Sequence, residues 1–155
     1  MADIVDKKTR SRMMAGIRGA NTKPEIAVRS IFTRLRYKPE INCRELPGKP
    51  DIVLRRKKVA VFVHGCFWHG HNCHLFRLPA SNTVFWKTKI DGNAVNDRLV
   101  VRSLKRKGWR VLVIWECALK GSGRINLQRI EGRVIKWLSS STETCQIRGK
   151  TISHE

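Results

Sequence analysis

Four of the five histidines fall within the run HGCFWHGHNCH, residues 64–74, which also holds two cysteines. Imidazole and thiolate at that density suit Zn²⁺, which takes about four nitrogen or sulfur ligands in a tetrahedron. Cys66, His71 and Cys73 lie close enough in the chain to wrap around one ion, and Cys117 follows a later apolar run. A Cys₃His site of Cys66, His71, Cys73 and Cys117 is the expectation. On spacing alone any of the four histidines supplies the nitrogen, and buried free thiols with surface histidines are the competing reading.

Asp51 is the second candidate. It follows Pro50 at the start of the apolar run PDIVL. A carboxylate on one strand with a carbonyl from its neighbour is a common way to hold Mg²⁺. A turn aspartate capping its own backbone is the commoner use of Pro-Asp. If zinc takes His71, then His64 and His69 stay free beside Asp51, and imidazole serves as general base or acid near neutral pH. Glu25 and Asp97 are candidates to orient those rings. Glu25 also fits a capping box, whereas Asp97 interrupts an apolar helical series, where a buried carboxylate needs a partner.

Aromatics form a third set. Phe67-Trp68 sits among the polar residues of the loop, and Phe85-Trp86 opens the next periodic stretch. Adjacent Phe and Trp do not easily both point inward. Exposed aromatics beside cations stack on bases or wedge between base pairs.

The elements that must position these groups follow from patterning. Thr22 and Glu25 frame a helix start with Pro24 in the first turn, and Ile26, Ile31, Phe32 and Leu35 give it an apolar face. PDIVL (50–54) and VAVFV (59–63) form a hairpin across the cationic turn Arg55–Lys58. Trp86, Ile90, Ala94, Val101 and Leu104 mark a helix over about 84–107, closed by Gly108. RVLVIW (110–115) is a buried strand parallel to 59–63, because a helix joins the two. Trp109 and Trp115 are read as core. Ile130, Val134, Trp137 and Leu138 mark a last helix. The order is α-β-β-α-β-α, an α/β fold with a central mixed sheet flanked by helices and a zinc-binding loop. Residues 1–20, with Met13, Met14 and Ile17, form a basic arm. Residues 21–138 form the main domain, and 139–155 a polar, frayed C-terminal tail.

Charge narrows the partner. The 155 residues carry 32 Lys and Arg against 12 Asp and Glu, a net +20, and such a field attracts polyanions, nucleic acid first. The basic residues are spread along the chain rather than gathered on one amphipathic segment. No apolar run approaches the roughly 18 residues of a membrane span. The N-terminus MADIVDKKTR lacks the apolar stretch of a signal peptide. A cytoplasmic protein without disulfides is expected.

The runs DKKTRSRMM (6–14), LPGKPDIV (46–53), VFVHGCFWHGHNCHLFRLPA (61–80), FW (85–86), NDR (96–98) and GWRVLVIWECAL (108–119) resemble the very-short-patch-repair (Vsr) DNA mismatch endonuclease family. The resemblance spans residues 6 to about 120. It implies a restriction-endonuclease-like fold and an enzyme that nicks one strand beside the T of a T:G mismatch left by 5-methylcytosine deamination. It implies that Asp51 and the carbonyl of Val63 bind Mg²⁺, that His69 is the general base supported by Asp97, and that Glu25 and His64 complete the site. Cys66, His71, Cys73 and Cys117 would hold structural zinc, and Phe67, Trp68 and Trp86 would insert into the duplex, with Met14 contacting DNA from the arm. A monomer working in the bacterial cytoplasm on nucleoid DNA, with help from the mismatch-repair ATPase MutL, is implied as well. Three departures matter. Val63 stands where the family often has threonine, which leaves a carbonyl ligand intact. Asn72 replaces a further loop histidine. Phe62-Val63-His64 stands where ordinary restriction-type nucleases have Glu-x-Lys, which moves proton transfer from lysine to histidine. The rival expectations are a restriction-type enzyme cutting both strands and a zinc-stabilised DNA-binding module without catalysis.

Overall fold

The computed structural model describes residues 22–151. The N-terminal arm with Met14 lies outside the described residues. Thr22 caps helix α1 (Lys23–Arg34), its side-chain oxygen accepting the Glu25 backbone N–H at 3.4 Å. Val28, Ile31 and Phe32 are buried on its inner face. Ile26, expected there, is 52% exposed. Val28 takes the inward position instead, three and four residues before Ile31 and Phe32.

Strands β1 (Glu40–Ile41), β2 (Ile52–Leu54) and β3 (Val59–His64) follow, with the expected β2–β3 hairpin antiparallel and Ile52 opposite Val61. Helix α2 (Thr83–Arg106) ends ahead of Gly108, whose φ of 82° is the left-handed backbone that glycine adopts without strain. Strand β4 (Arg110–Trp115) runs parallel to β3, with His64 beside Trp115. A short helix α3 (Glu116–Leu119), helix α4 (Leu127–Leu138) and strand β5 (Thr144–Ile147) complete the chain. The five strands form one mixed sheet in sequential order.

Period-two alternation divides the core. Ile52, Leu54, Val59, Val61, Leu112 and Ile114 face α1 and α4, against Val28, Phe32, Ile130 and Trp137. Val53, Ala60, Phe62, Val111 and Val113 face α2, against Leu104. The same alternation carries Asp51 and His64 to the α2 side at one end of the sheet.

Two expectations are corrected. The six-element order lacks β1, α3 and β5. The tail after residue 139 is not frayed throughout: β5 pairs parallel with β4, and Ile147 is buried. Only that one residue of TCQI is deeply buried, so an edge strand reads as a polar tail. Helix α2 buries only Ile90 and Leu104 fully. Its middle borders a cleft, so Ala94 and Val101 are half-buried.

Candidate active site and metal centre

Two clusters sit at the C-terminal ends of β3 and β4. In the first, the donor atoms of Cys66, His71, Cys73 and Cys117 all lie within 4.8 Å of one another. His71 Nδ1 is 3.5 Å from Cys66 Sγ and 3.6 Å from Cys117 Sγ. Burial, more than the nearby Arg148, lowers the His71 imidazole to about 4, so it stands neutral with a lone pair to give. Burial pushes the Cys66 and Cys117 thiols up. The backbone clasps the cluster: Gly149 N–H donates to Cys117 Sγ at 3.3 Å, and Cys66 N–H donates to Glu116 Oε1 at 3.3 Å. A Cβ on Gly149 would lie 2.2 Å from the Cys117 carbonyl oxygen, so only glycine lets the segment after β5 close here. His74 stays outside both clusters, against Gly121.

The second cluster faces a cleft of about 930 Å³ lined by Glu25, Asp51, His64, His69 and Asp97. Asp51 Oδ2 accepts the Val63 backbone N–H at 2.7 Å. Burial pushes its carboxyl up to about 6; the Val63 N–H opposes this, the negative Glu25 adds to it, and Arg29 and His69 offset it. Glu25 is buried and accepts from Arg29 Nη2 at 3.2 Å. His69 Nδ1 lies 2.5 Å from Asp97 Oδ2. A carboxylate only accepts, so the His69 proton sits on Nδ1 and leaves Nε2 with a free lone pair. His64 is buried and stacks on His69 at 3.9 Å between ring centres. Burial first, then the neighbouring His69 ring, lowers it to about 3, so it is neutral across the physiological range.

Phe67 and Trp68 line the cleft, and Trp86 meets both edge-on at 5.5 and 5.8 Å. The structure thus brings together the four candidate sulfur and nitrogen donors, the Asp51–Val63 pair, the His69–Asp97 pair and the three aromatics.

Three contributors escaped the sequence reading. Trp115, read as core, is indeed buried, yet its ring stacks on His71 at 4.0 Å and meets His64 edge-on at 5.2 Å, so it stands between the clusters. Asn93 Nδ2 donates to the Trp68 carbonyl at 2.9 Å, and Glu116 holds Cys66. Asn93 lies one turn before Asp97, and Glu116 precedes Cys117. Those adjacencies were the available signals.

The family model described as DNA mismatch endonuclease Vsr matches residues 2–75. The chain is 39% identical to DNA mismatch endonuclease Vsr of Escherichia coli over 147 residues, covering 95% of this chain and 94% of that protein. It is 40% identical to the type II nicking enzyme V.XorIIP of Xanthomonas oryzae, covering 81% of this chain and 92% of that one. With V.NmeAIP of Neisseria meningitidis, also a type II nicking enzyme, it shares 44% over 77% of this chain and 86% of that one. Likeness over nearly the whole chain, joined to a cleft of paired acids and imidazoles, makes this protein a DNA endonuclease of the Vsr family.

Proposed function

We propose that the protein is a Mg²⁺-dependent endonuclease on a restriction-endonuclease-like scaffold, nicking one strand beside the T of a T:G mismatch left by 5-methylcytosine deamination, and that it carries structural zinc. The observation behind this reading is the His69–Asp97 pair at 2.5 Å, in one cleft with the half-buried Asp51.

For zinc, ligands at 2.3 Å (S) and about 2.05 Å (N) from a tetrahedral ion are about 3.6 Å apart, which fits the 3.5 and 3.6 Å separations of Cys66 and Cys117 from His71. Cys66, His71, Cys73 and Cys117 would hold it. For Mg²⁺, the negative charge of the buried Glu25 adds to the cost of ionising Asp51, a cation there offsets that cost, and Asp51 with the Val63 carbonyl would hold it. Bound there, Mg²⁺ supplies charge stabilisation to the phosphate under attack.

The chain's own groups do the rest. His69 Nε2 takes the proton of the attacking water as its oxygen bonds phosphorus, the bond from phosphorus to the leaving sugar oxygen breaks and that oxygen takes a proton from solvent, and Asp97 stabilises the imidazolium on His69. His64, flat against His69 and neutral, fixes the plane of that ring. Glu25, held by Arg29, adds negative charge beside Asp51. Phe67, Trp68 and Trp86 wedge where a wobble pair has already weakened stacking, and Met14 contacts DNA from the arm. A monomer active on nucleoid DNA in the cytoplasm, assisted by MutL, belongs to the same proposal and rests on family likeness. Among the described residues no helix is long and apolar enough to cross a membrane.

Strand-resolved cleavage of a T:G duplex and its T:A control with Mg²⁺ tests the reading. One nick on the T strand of the mismatched duplex alone is expected. Double-strand cutting of both duplexes would establish the restriction-type rival. Binding without cutting would establish the non-catalytic one.

A further inference from the structure

The far end of the sheet from the active cleft carries a second concentration of charge. The β2–β3 turn, residues 55–58, is exposed throughout, and so is the stretch 105–108 that ends α2 and leads to β4. Arg110 N–H donates to the Lys58 carbonyl at 2.8 Å, and Lys58 Nζ lies 3.5 Å from the Lys107 carbonyl, so the two cationic segments are side by side. Lys57 Nζ sits 5.8 Å from the centre of the Tyr37 ring, next to Arg36. The five steps along β3 from Val59 to His64, at about 3.3 Å each, separate this end from His64 by roughly 17 Å.

Acids neutralise only part of it. Arg55 pairs with Glu40 and Glu45, and Lys105 pairs with Glu143. Among the described residues Arg36, Arg56, Lys57, Lys58, Arg106 and Lys107 have no acidic partner. The C-terminal dipole of α2 favours cations at 105–107. It does not account for the run at 55–58, which belongs to a hairpin. Uncompensated like charges crowded on one surface repel, and a polyanion relieves that repulsion.

We infer that this end of the molecule binds the phosphate backbone of a second duplex segment, so that one chain bridges two stretches of DNA. The contacts are to phosphate, independent of sequence. They give the protein a second foothold for passing between segments without touching the nicking chemistry. The inference rests on the chain being a DNA-acting enzyme, and not on Mg²⁺ or T:G specificity.

The test is a two-duplex capture with the full chain. An immobilised T:G duplex is loaded with protein and offered a labelled matched duplex at low salt. Wild type and Asp51→Ala should both capture the second duplex. The variant Arg56→Gln/Lys57→Gln/Lys58→Gln/Lys107→Gln should capture at least about tenfold less, and its capture should lose salt dependence by about 0.9 in log–log slope per phosphate contact removed. Arg36→Gln/Arg106→Gln, on separate elements, should show a smaller loss of the same kind. Single-turnover nicking of a short saturated duplex should be unchanged in both, which also reports that they fold. Failure of wild type to capture, or capture undiminished in both variants, would overturn the inference. Loss of binding to polyglutamate with duplex capture intact would assign the surface to an acidic protein and overturn it equally. Asp51→Ala that nicks normally, with rear capture as described, would instead sink the active-site assignment alone.

Discussion

The two clusters share one end of the sheet and one tryptophan, yet they are built on opposite plans. Cys66, His71, Cys73 and Cys117 turn every donor toward a common point and are clasped from outside by Gly149 and Glu116. Asp51, His64, His69 and Asp97 line a cleft, and among the described residues His69 is held by only one of its ring nitrogens. A closed donor set suits an ion that holds the fold, while an open set suits one that meets substrate. Trp115, stacked on His71 and edge-on to His64, packs against a ring of each cluster. Chemistry at neutral pH needs a base free to accept a proton. Structure needs donors with nothing left over.

Breaking the closed cluster should have the largest effect. Binding free energy at a structural zinc is folding free energy, on the order of 10 kcal/mol. Cys117→Ser should therefore cut zinc content well below about one per chain and lower Tm sharply, read by metal analysis and thermal melting. Zinc retained with an unchanged Tm would remove Cys117 from the ligand set.

Breaking the open cluster should spare the fold. Asp51→Ala should reduce nicking by at least about 1,000-fold, about 4 kcal/mol of transition-state stabilisation, with duplex affinity kept and Tm within a few degrees. Affinity is kept because the chain carries a net +20, and removing one anion does not weaken its attraction for phosphate. Nicking within a few-fold of wild type would show that Asp51 holds no catalytic metal.

The aromatics should give the smallest change and the sharpest discrimination. Stacking one aromatic on a base is worth roughly 1–3 kcal/mol, so Trp68→Ala should lower nicking of T:G duplex about 10- to 100-fold. Matched duplex should lose little, so the mismatch-to-match ratio shrinks. A lower Tm with an undiminished ratio would make Trp68 a packing residue only.

What the sequence made legible follows from where each signal lies. The three cysteines were readable as candidate donors because Cys66 and Cys73 bracket the histidine-rich loop and Cys117 follows a strand that must run parallel to the one before it, whereas spacing alone left open which histidine joins them. Asp97 was readable because a carboxylate in a helical apolar series demands a partner, and His69 is that partner. That helices cover both faces of the sheet was readable because VAVFV and RVLVIW are apolar almost without interruption. Asn93 and Glu116 were not, because they act on backbone groups, the Trp68 carbonyl and the Cys66 N–H, and such bonds leave no pattern of residue types. Nor was Gly149 readable, whose lack of a Cβ matters only once β5 has brought it against Cys117. Trp115 was rightly placed in the core, but burial alone does not say that its neighbours are the rings of two sites.

The division between a closed and an open cluster is tested most directly by brief gel filtration in excess chelator, followed by zinc analysis and nicking of a T:G duplex on the same sample. About one zinc per chain should survive, because a four-donor site leaves no open position for a competing ligand. Nicking should vanish and return in full on addition of Mg²⁺ alone. Zinc lost in step with activity, and activity restored by zinc but not by Mg²⁺, would contradict the account.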